Sequence, residues 1–94
     1  MAGNVETQDH LEIGLDANEA VVLFELLSRW CDPKTGATPA GSCFESTAEC
    51  VVLHRLLGSL EKQLVAPFKH DHAETLARAR SHLQHDWDYP TLNG

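Results

Sequence analysis

The chain has 94 residues, a formal net charge of −7 at pH 7 and a hydrophobic content of 43%. A chain of this length builds a single core, and one with this apolar content folds instead of staying disordered. Its longest unbroken apolar run, residues 20–24, is far shorter than the roughly 18 residues that a membrane span needs. We therefore expect one soluble domain and no membrane partner.

The acidic charge is concentrated in the first third of the chain. Residues 1–32 hold seven acidic side chains and one basic one, whereas residues 33–94 hold seven acidic and six basic. Such a field repels nucleic acid and attracts a basic partner. We therefore expect no nucleic-acid binding, with ordinary solubilising charge as the alternative to partner attraction.

The N-terminus and the cysteines point to the cytoplasm. The first residues lack the basic and apolar regions of a secretory signal, and an odd count of three cysteines favours reduced thiols. Cys31 and Cys43 are candidate nucleophiles, and His54 and His70 are candidate bases. Nothing in the sequence fixes their geometry, and no catalytic or phosphate-binding motif is present. We expect no enzyme activity and no cofactor.

Residues 1–9 are polar and without periodicity, which predicts a disordered tail. Leu11, Ile13 and Leu15 then alternate with other residues at the period of a half-buried strand. Because no second strand follows, this segment is either an extended arm or a strand that pairs with its copy in a dimer.

The first helix is predicted over residues 17–30. Asp16 and Glu19 have the spacing of a capping box. The helix is apolar around more than one face, at Ala20, Val21, Val22, Leu23, Phe24, Leu26, Leu27 and Trp30. A helix with so wide an apolar arc either lies in the middle of the fold or carries an oligomer interface.

The second helix is predicted over residues 47–65, behind the N-cap Ser46 and its capping partner Glu49. It carries one continuous apolar stripe made of Leu53, Leu56, Leu57, Leu60 and Leu64. Pro67 ends it, since the residue before a proline disfavours helix. We expect the chain to be organised around this helix.

The loop of residues 31–45, rich in proline and glycine, precedes the second helix, and Phe44 is expected to pack on that helix's first turns. A third helix is predicted over residues 72–85, with Asp71 and Glu74 at capping spacing. Its small apolar stripe, at Ala73, Leu76, Ala77, Ala79 and Leu83, is interrupted by Arg80. We expect the stem of this arginine to lie along the stripe with its head in water.

These elements predict a mainly α fold. It is a compact three-helix domain over residues 10–85, with a short extended or β segment before the first helix and a C-terminal tail over residues 86–94. Agreement between capping positions and apolar periods supports this fold.

Six histidines raise the question of a metal site. His70 and His72 lie at one end of the third helix, and His82 and His85 lie at the other. The two groups are about 15 Å apart along the axis, given a rise of roughly 1.5 Å per residue. They cannot form one site within that helix, and we expect them to be surface residues.

A resemblance rests on residues 21–30, residues 60–68, and Ala48, Glu49 and Leu53. In these stretches the chain resembles a group of small, acidic, uncharacterised bacterial proteins. The likeness covers roughly residues 11–83. It implies a small helical fold and a bacterial origin, and it brings no catalytic or binding residue with it.

Three functions are compatible with the sequence. The first is a non-catalytic acidic module that binds a basic protein, as an immunity or antitoxin-type inhibitor or as an adaptor. Its predicted contacts are Glu12, Glu19, Glu25, Trp87 and Tyr89. The second is a homodimeric structural protein whose interface is residues 11–30. The third is a histidine-dependent metal binder.

Overall fold

The computed structural model describes residues 10–64 and 71–94, which form three helices. Helix α1 is Ala17–Cys31, α2 is Thr47–Gln63 and α3 is His72–Leu83. One-turn 3-10 helices lie at Gly41–Cys43 and Gln84–Asp86. The predicted mainly α, three-helix fold is confirmed. The predicted disordered tail of residues 1–9 lies outside the described residues.

The three helices begin at the predicted residues, and their starts differ in how they are capped. At α1 the capping box is complete: Glu19 N–H donates to Asp16 Oδ1 at 2.8 Å, and Asp16 N–H donates to Glu19 Oε1 at 2.9 Å. At α2, Ser46 Oγ accepts from Ala48 N–H at 3.0 Å. The predicted return bond from Glu49 is not made to Ser46, because Glu49 accepts from the backbone of Glu45 instead.

The predicted cap of α3 is wrong. Asp71 is the N-cap residue, but its side chain makes no capping hydrogen bond. Its backbone, at φ −96° and ψ 21°, is not in the extended region that a capping side chain needs, whereas Asp16 and Ser46 are extended. The D-x-x-E spacing therefore marks the start of α3 without capping it.

This contrast gives a stability prediction. Asp16→Ala removes the carboxylate that accepts from Glu19 N–H and should lower the free energy of unfolding by about 1 kcal/mol. Asp71→Ala removes the same chemical group from an N-cap that makes no side-chain bond, so its effect should be clearly smaller. Urea denaturation followed by circular dichroism measures both, and equal losses would contradict the assignment.

The fold is organised around α1, whereas the sequence pattern predicts α2 as its centre. Helix α1 packs against both α2 and α3, and it contributes three of the buried apolar residues, Ala20, Val21 and Leu27. In the predicted stripe of α2 only Leu60 is buried, and the other leucines are half-buried. The wide apolar arc of α1 can be covered by two neighbouring helices, whereas the single apolar stripe of α2 is covered by one.

Of the two alternatives predicted for the segment before α1, an extended arm or a strand, the chain on its own does not form the strand. Residues 10–16 have no regular secondary structure, and the described residues contain no strand. Leu11 and Ile13 are 82% and 83% exposed, and Leu15 is 41% exposed. A strand needs a second backbone to bond with, and no described segment supplies one. Pairing with a second copy stays a prediction.

The loop between α1 and α2 is held by local bonds at its start. Lys34 N–H donates to Asp32 Oδ1 at 2.9 Å, and the Thr35 hydroxyl donates to the Arg29 carbonyl at 2.7 Å. Gly36 follows with φ 65°, a left-handed conformation that favours glycine. Phe44 lines a small cavity with Leu53, which places its ring beside the first turns of α2, as predicted.

Candidate protein-binding surface

The start of α1 and the end of α3 border one groove. Asn18 of α1 and His85, which follows α3, both line it, and Glu25 bonds to Arg80 further along α1. The arm of residues 10–16, which leads into α1, and the segment after α3 therefore both start beside this groove. We call this part of the molecule the shared end.

The segment after α3 is folded on itself. Trp87 Nε1 donates to the Thr91 carbonyl at 3.1 Å, and Gly94 N–H donates to the same carbonyl at 3.3 Å. The rings of Trp87 and Tyr89 pack edge to face, with centroids 5.2 Å apart and an interplanar angle of 67°. This is a favoured arrangement for aromatic pairs. We call residues 87–94 the aromatic turn.

The aromatic turn presents its rings to solvent. Trp87 is 52% exposed and Tyr89 is 60% exposed, while Leu92 beyond them is 95% exposed. An aromatic side chain offers about 150–250 Å² of surface, so each ring keeps an exposed area on the order of 100 Å². The hydrogen bond and the ring contact already fix the geometry. Because these side chains are already ordered, binding a partner would cost little of their conformational entropy.

The charges at the shared end are of both signs. Asp86 and Asp88 flank Trp87 in sequence, and Glu12 lies exposed on the arm. The groove at this end, between α1 and α3, is open, has a volume of about 640 Å³, and is lined in part by Arg78 and His82. The aromatic turn is therefore acidic at its edge, and the neighbouring groove is basic.

Two of the predicted acidic contacts have roles inside the chain. The carboxylate of Glu19 belongs to the capping box of α1. Oε1 of Glu25 accepts from Arg80 Nη2 at 2.8 Å and also forms an ion pair with Arg29. Glu25 is thus half-buried between α1 and α3, away from the shared end. A partner-binding role for Glu12, Glu19 and Glu25 stays a prediction.

The ion pair with Glu25 explains the position of Arg80 in the apolar stripe of α3. Arg80 is exposed, but its guanidinium bonds to the neighbouring helix instead of extending freely into water. The sequence indicates the unusual position of Arg80 but not this partner. An arginine inside an apolar stripe is the signal that could have prompted a search for a carboxylate on the adjacent helix.

The ion-pair cluster gives a second stability prediction. Glu25→Gln keeps the side-chain size but removes the charge that faces two arginines, and should lower the free energy of unfolding by about 1 kcal/mol. The loss should shrink at high salt, because these groups are partly exposed and screened. Glu61→Gln, on the exposed face of α2, is the control with the same change in net charge. A loss equal to that of the control would refute the cluster's contribution.

The other candidate chemistry is scattered. Cys43 is exposed on the 3-10 turn, and Cys31 and His54 line a small cavity at the opposite end of α1 from the shared end. His70 lies outside the described residues. Within residues 10–64 and 71–94, no group of three or more histidine, cysteine or acidic side chains is arranged to hold a metal ion.

Comparison with known proteins gives no family to guide the assignment: no family model, no curated protein and no solved structure matches this chain. The resemblance to small acidic bacterial proteins stays a prediction. Among the described helices, none has the length and apolar character to cross a membrane.

Proposed function

We propose that this chain is a non-catalytic protein-binding domain that takes a basic segment of a partner protein on its aromatic turn. The observation that carries the proposal is the Trp87 and Tyr89 pair, which is fixed in geometry and more than half exposed. Binding energy at protein interfaces is concentrated in a few residues, and tryptophan and tyrosine are enriched among them. An immunity or antitoxin-type inhibitor and an adaptor both fit this description.

The charges next to the pair favour a basic partner. Asp86 and Asp88 flank Trp87, and the chain as a whole carries −7. A lysine or arginine that packs on the face of an aromatic ring gains a cation–π attraction, and a nearby carboxylate adds an ion pair. Long-range attraction by the acidic chain would also raise the association rate at low salt.

Selection from a random displayed-peptide library against the full chain tests the proposal. The selected peptides should be rich in arginine and lysine, and their binding should weaken as salt is raised. Trp87→Ala, used as the bait in parallel, should not enrich them. Enrichment of the same peptides by both baits, or of peptides without basic residues, would argue against the aromatic turn as the binding site.

A homodimer is the second candidate, and one observation favours it. The arm combines the exposed apolar residues Leu11 and Ile13 with Glu12, and the groove at the shared end carries Arg78 and His82. The arm of one copy would be complementary in charge to the groove of another. Light scattering over a wide concentration range distinguishes the two proposals: a dimer that Ile13→Asp dissociates supports this candidate, and a monomer throughout removes it.

A further inference from the structure

The end of α1 and the start of α2 enclose a cavity that is separate from the shared end. Its volume is about 50 Å³, which is room for only a few water molecules. Cys31, the last residue of α1, and Cys50, in the first turns of α2, both line it. Both cysteines are half-buried, and neither is in a disulfide. Two thiols from different helices therefore face one small space.

A second observation supports the closeness of these two thiols. Burial raises the pKa of Cys31, and the negative charge of the Cys50 thiolate raises this pKa further. Such a charge effect falls with distance, so it fits two sulfur atoms across a cavity of this size.

We propose that Cys31 and Cys50 form a redox-active thiol pair, which a low-molecular-weight disulfide oxidises to an intrachain disulfide. The first thiol loses its proton to solvent, and its thiolate attacks one sulfur of the small disulfide. The sulfur–sulfur bond breaks, and one small thiolate leaves with the electron pair. The second cysteine then loses its proton and attacks the protein-bound sulfur of the mixed disulfide, releasing the second small thiolate.

Protons and electrons balance between the protein and the small disulfide, and no other oxidant is needed. The protein loses two protons and two electrons, and the small disulfide is reduced to two thiols, which take up the two protons. The new bond joins the end of α1 to the start of α2 and closes the loop between them. Cys43, exposed on the 3-10 turn, is left out of the pair.

The test uses the full chain, oxidised glutathione and three single variants that each leave a different pair of cysteines. Cys43→Ser leaves Cys31 and Cys50 and should lose two hydrogens without retaining a glutathione adduct. Cys50→Ser and Cys31→Ser, which leave the other two pairs, should retain adducts. Intact-mass measurement under non-reducing conditions distinguishes these products. Adducts retained by Cys43→Ser, or disulfide formation in all three variants, would overturn the proposal.

Two further measurements exclude misfolding of a variant as the cause of the result. Circular dichroism first establishes that each variant keeps the helical content of the unmodified chain. The unmodified chain is then oxidised and digested with trypsin and a glutamate-specific protease, which cut after Lys34 and after Glu45 and Glu49. These cuts separate all three cysteines, so the cross-linked peptides identify the bond directly. A Cys31–Cys43 or Cys43–Cys50 bond would refute the assignment.

The pH dependence of the oxidation has a defined sign. Only the thiolate attacks a disulfide, and the raised pKa of Cys31 keeps that thiol protonated at neutral pH. The oxidation rate should therefore rise from neutral to alkaline pH. Alkylation of Cys31 in the Cys50→Ser variant should begin at lower pH, because one cause of the raised pKa has been removed. An unchanged alkylation profile would show that the two sulfur atoms are too far apart to interact.

Discussion

Leu27→Ala should lower the free energy of unfolding by about 2–5 kcal/mol, more than the loss of the α1 capping box or of the Glu25 ion pairs. Leu27 is 1% exposed and lies on α1, the helix that packs against both others. Truncation removes buried apolar surface and leaves a cavity that a tightly packed site cannot fill. Small domains have total stabilities of about 5–15 kcal/mol, so this loss is a large share of the total.

Urea denaturation followed by circular dichroism measures the effect of Leu27→Ala. Val52→Ala, on the outer face of α2 where the side chain is 62% exposed, is the control and should change the free energy of unfolding by less than about 0.5 kcal/mol. Leu27→Met conserves volume and should lose less than about 1.5 kcal/mol, which keeps the site measurable if the alanine variant does not fold. Equal effects at Leu27 and Val52 would contradict the central position of α1.

Trp87→Ala should weaken binding of a selected basic peptide by about 30-fold or more, which corresponds to about 2 kcal/mol. The stability of the helical domain should change little, because Trp87 is 52% exposed and its side chain bonds to Thr91 and packs on Tyr89, both within the aromatic turn. Isothermal titration measures the affinity, and urea denaturation measures the stability. Leu92→Ala is the matched control, since it removes an exposed apolar side chain from the same turn.

Two companion variants separate the ring from the turn that holds it. Trp87→Phe keeps an aromatic ring but loses the Nε1 donor to the Thr91 carbonyl, so it reports how much the fixed turn contributes. Tyr89→Ala removes the edge-to-face partner and should itself reduce affinity by about 0.5–1.5 kcal/mol or more. Binding by Trp87→Ala at the affinity of the unmodified chain would exclude the aromatic turn as the binding site.

The sequence by itself determined the starts of the helices and the mainly α class. The Asp16 and Glu19 pair lies at capping spacing before an apolar helical period, and both signals depend only on residues within a few positions of each other. The ends of the helices match less closely: α1, α2 and α3 end at Cys31, Gln63 and Leu83, against predictions of residues 30, 65 and 85. Helix ends depend on where the tertiary fold turns the chain as well as on local sequence.

Within the proposed binding surface, the sequence singled out Trp87 and Tyr89 as aromatic residues in a non-helical tail. It could not determine that they pack on each other, because this depends on the bond between the Trp87 ring and the Thr91 backbone. It also could not determine that Glu25 is engaged inside the molecule. The carboxylate and its Arg80 partner are 55 residues apart in sequence and meet only when α1 and α3 pack together.

The tertiary structure alone decided which helix is central. The leucine stripe of α2 and the wide apolar arc of α1 are both visible in the sequence, but burial depends on how many neighbours each helix has. Only the packing gives α1 two neighbours and leaves α2 with one buried leucine, Leu60. The same packing brings Cys31 and Cys50 to one cavity, since they lie on different helices and no local spacing relates them.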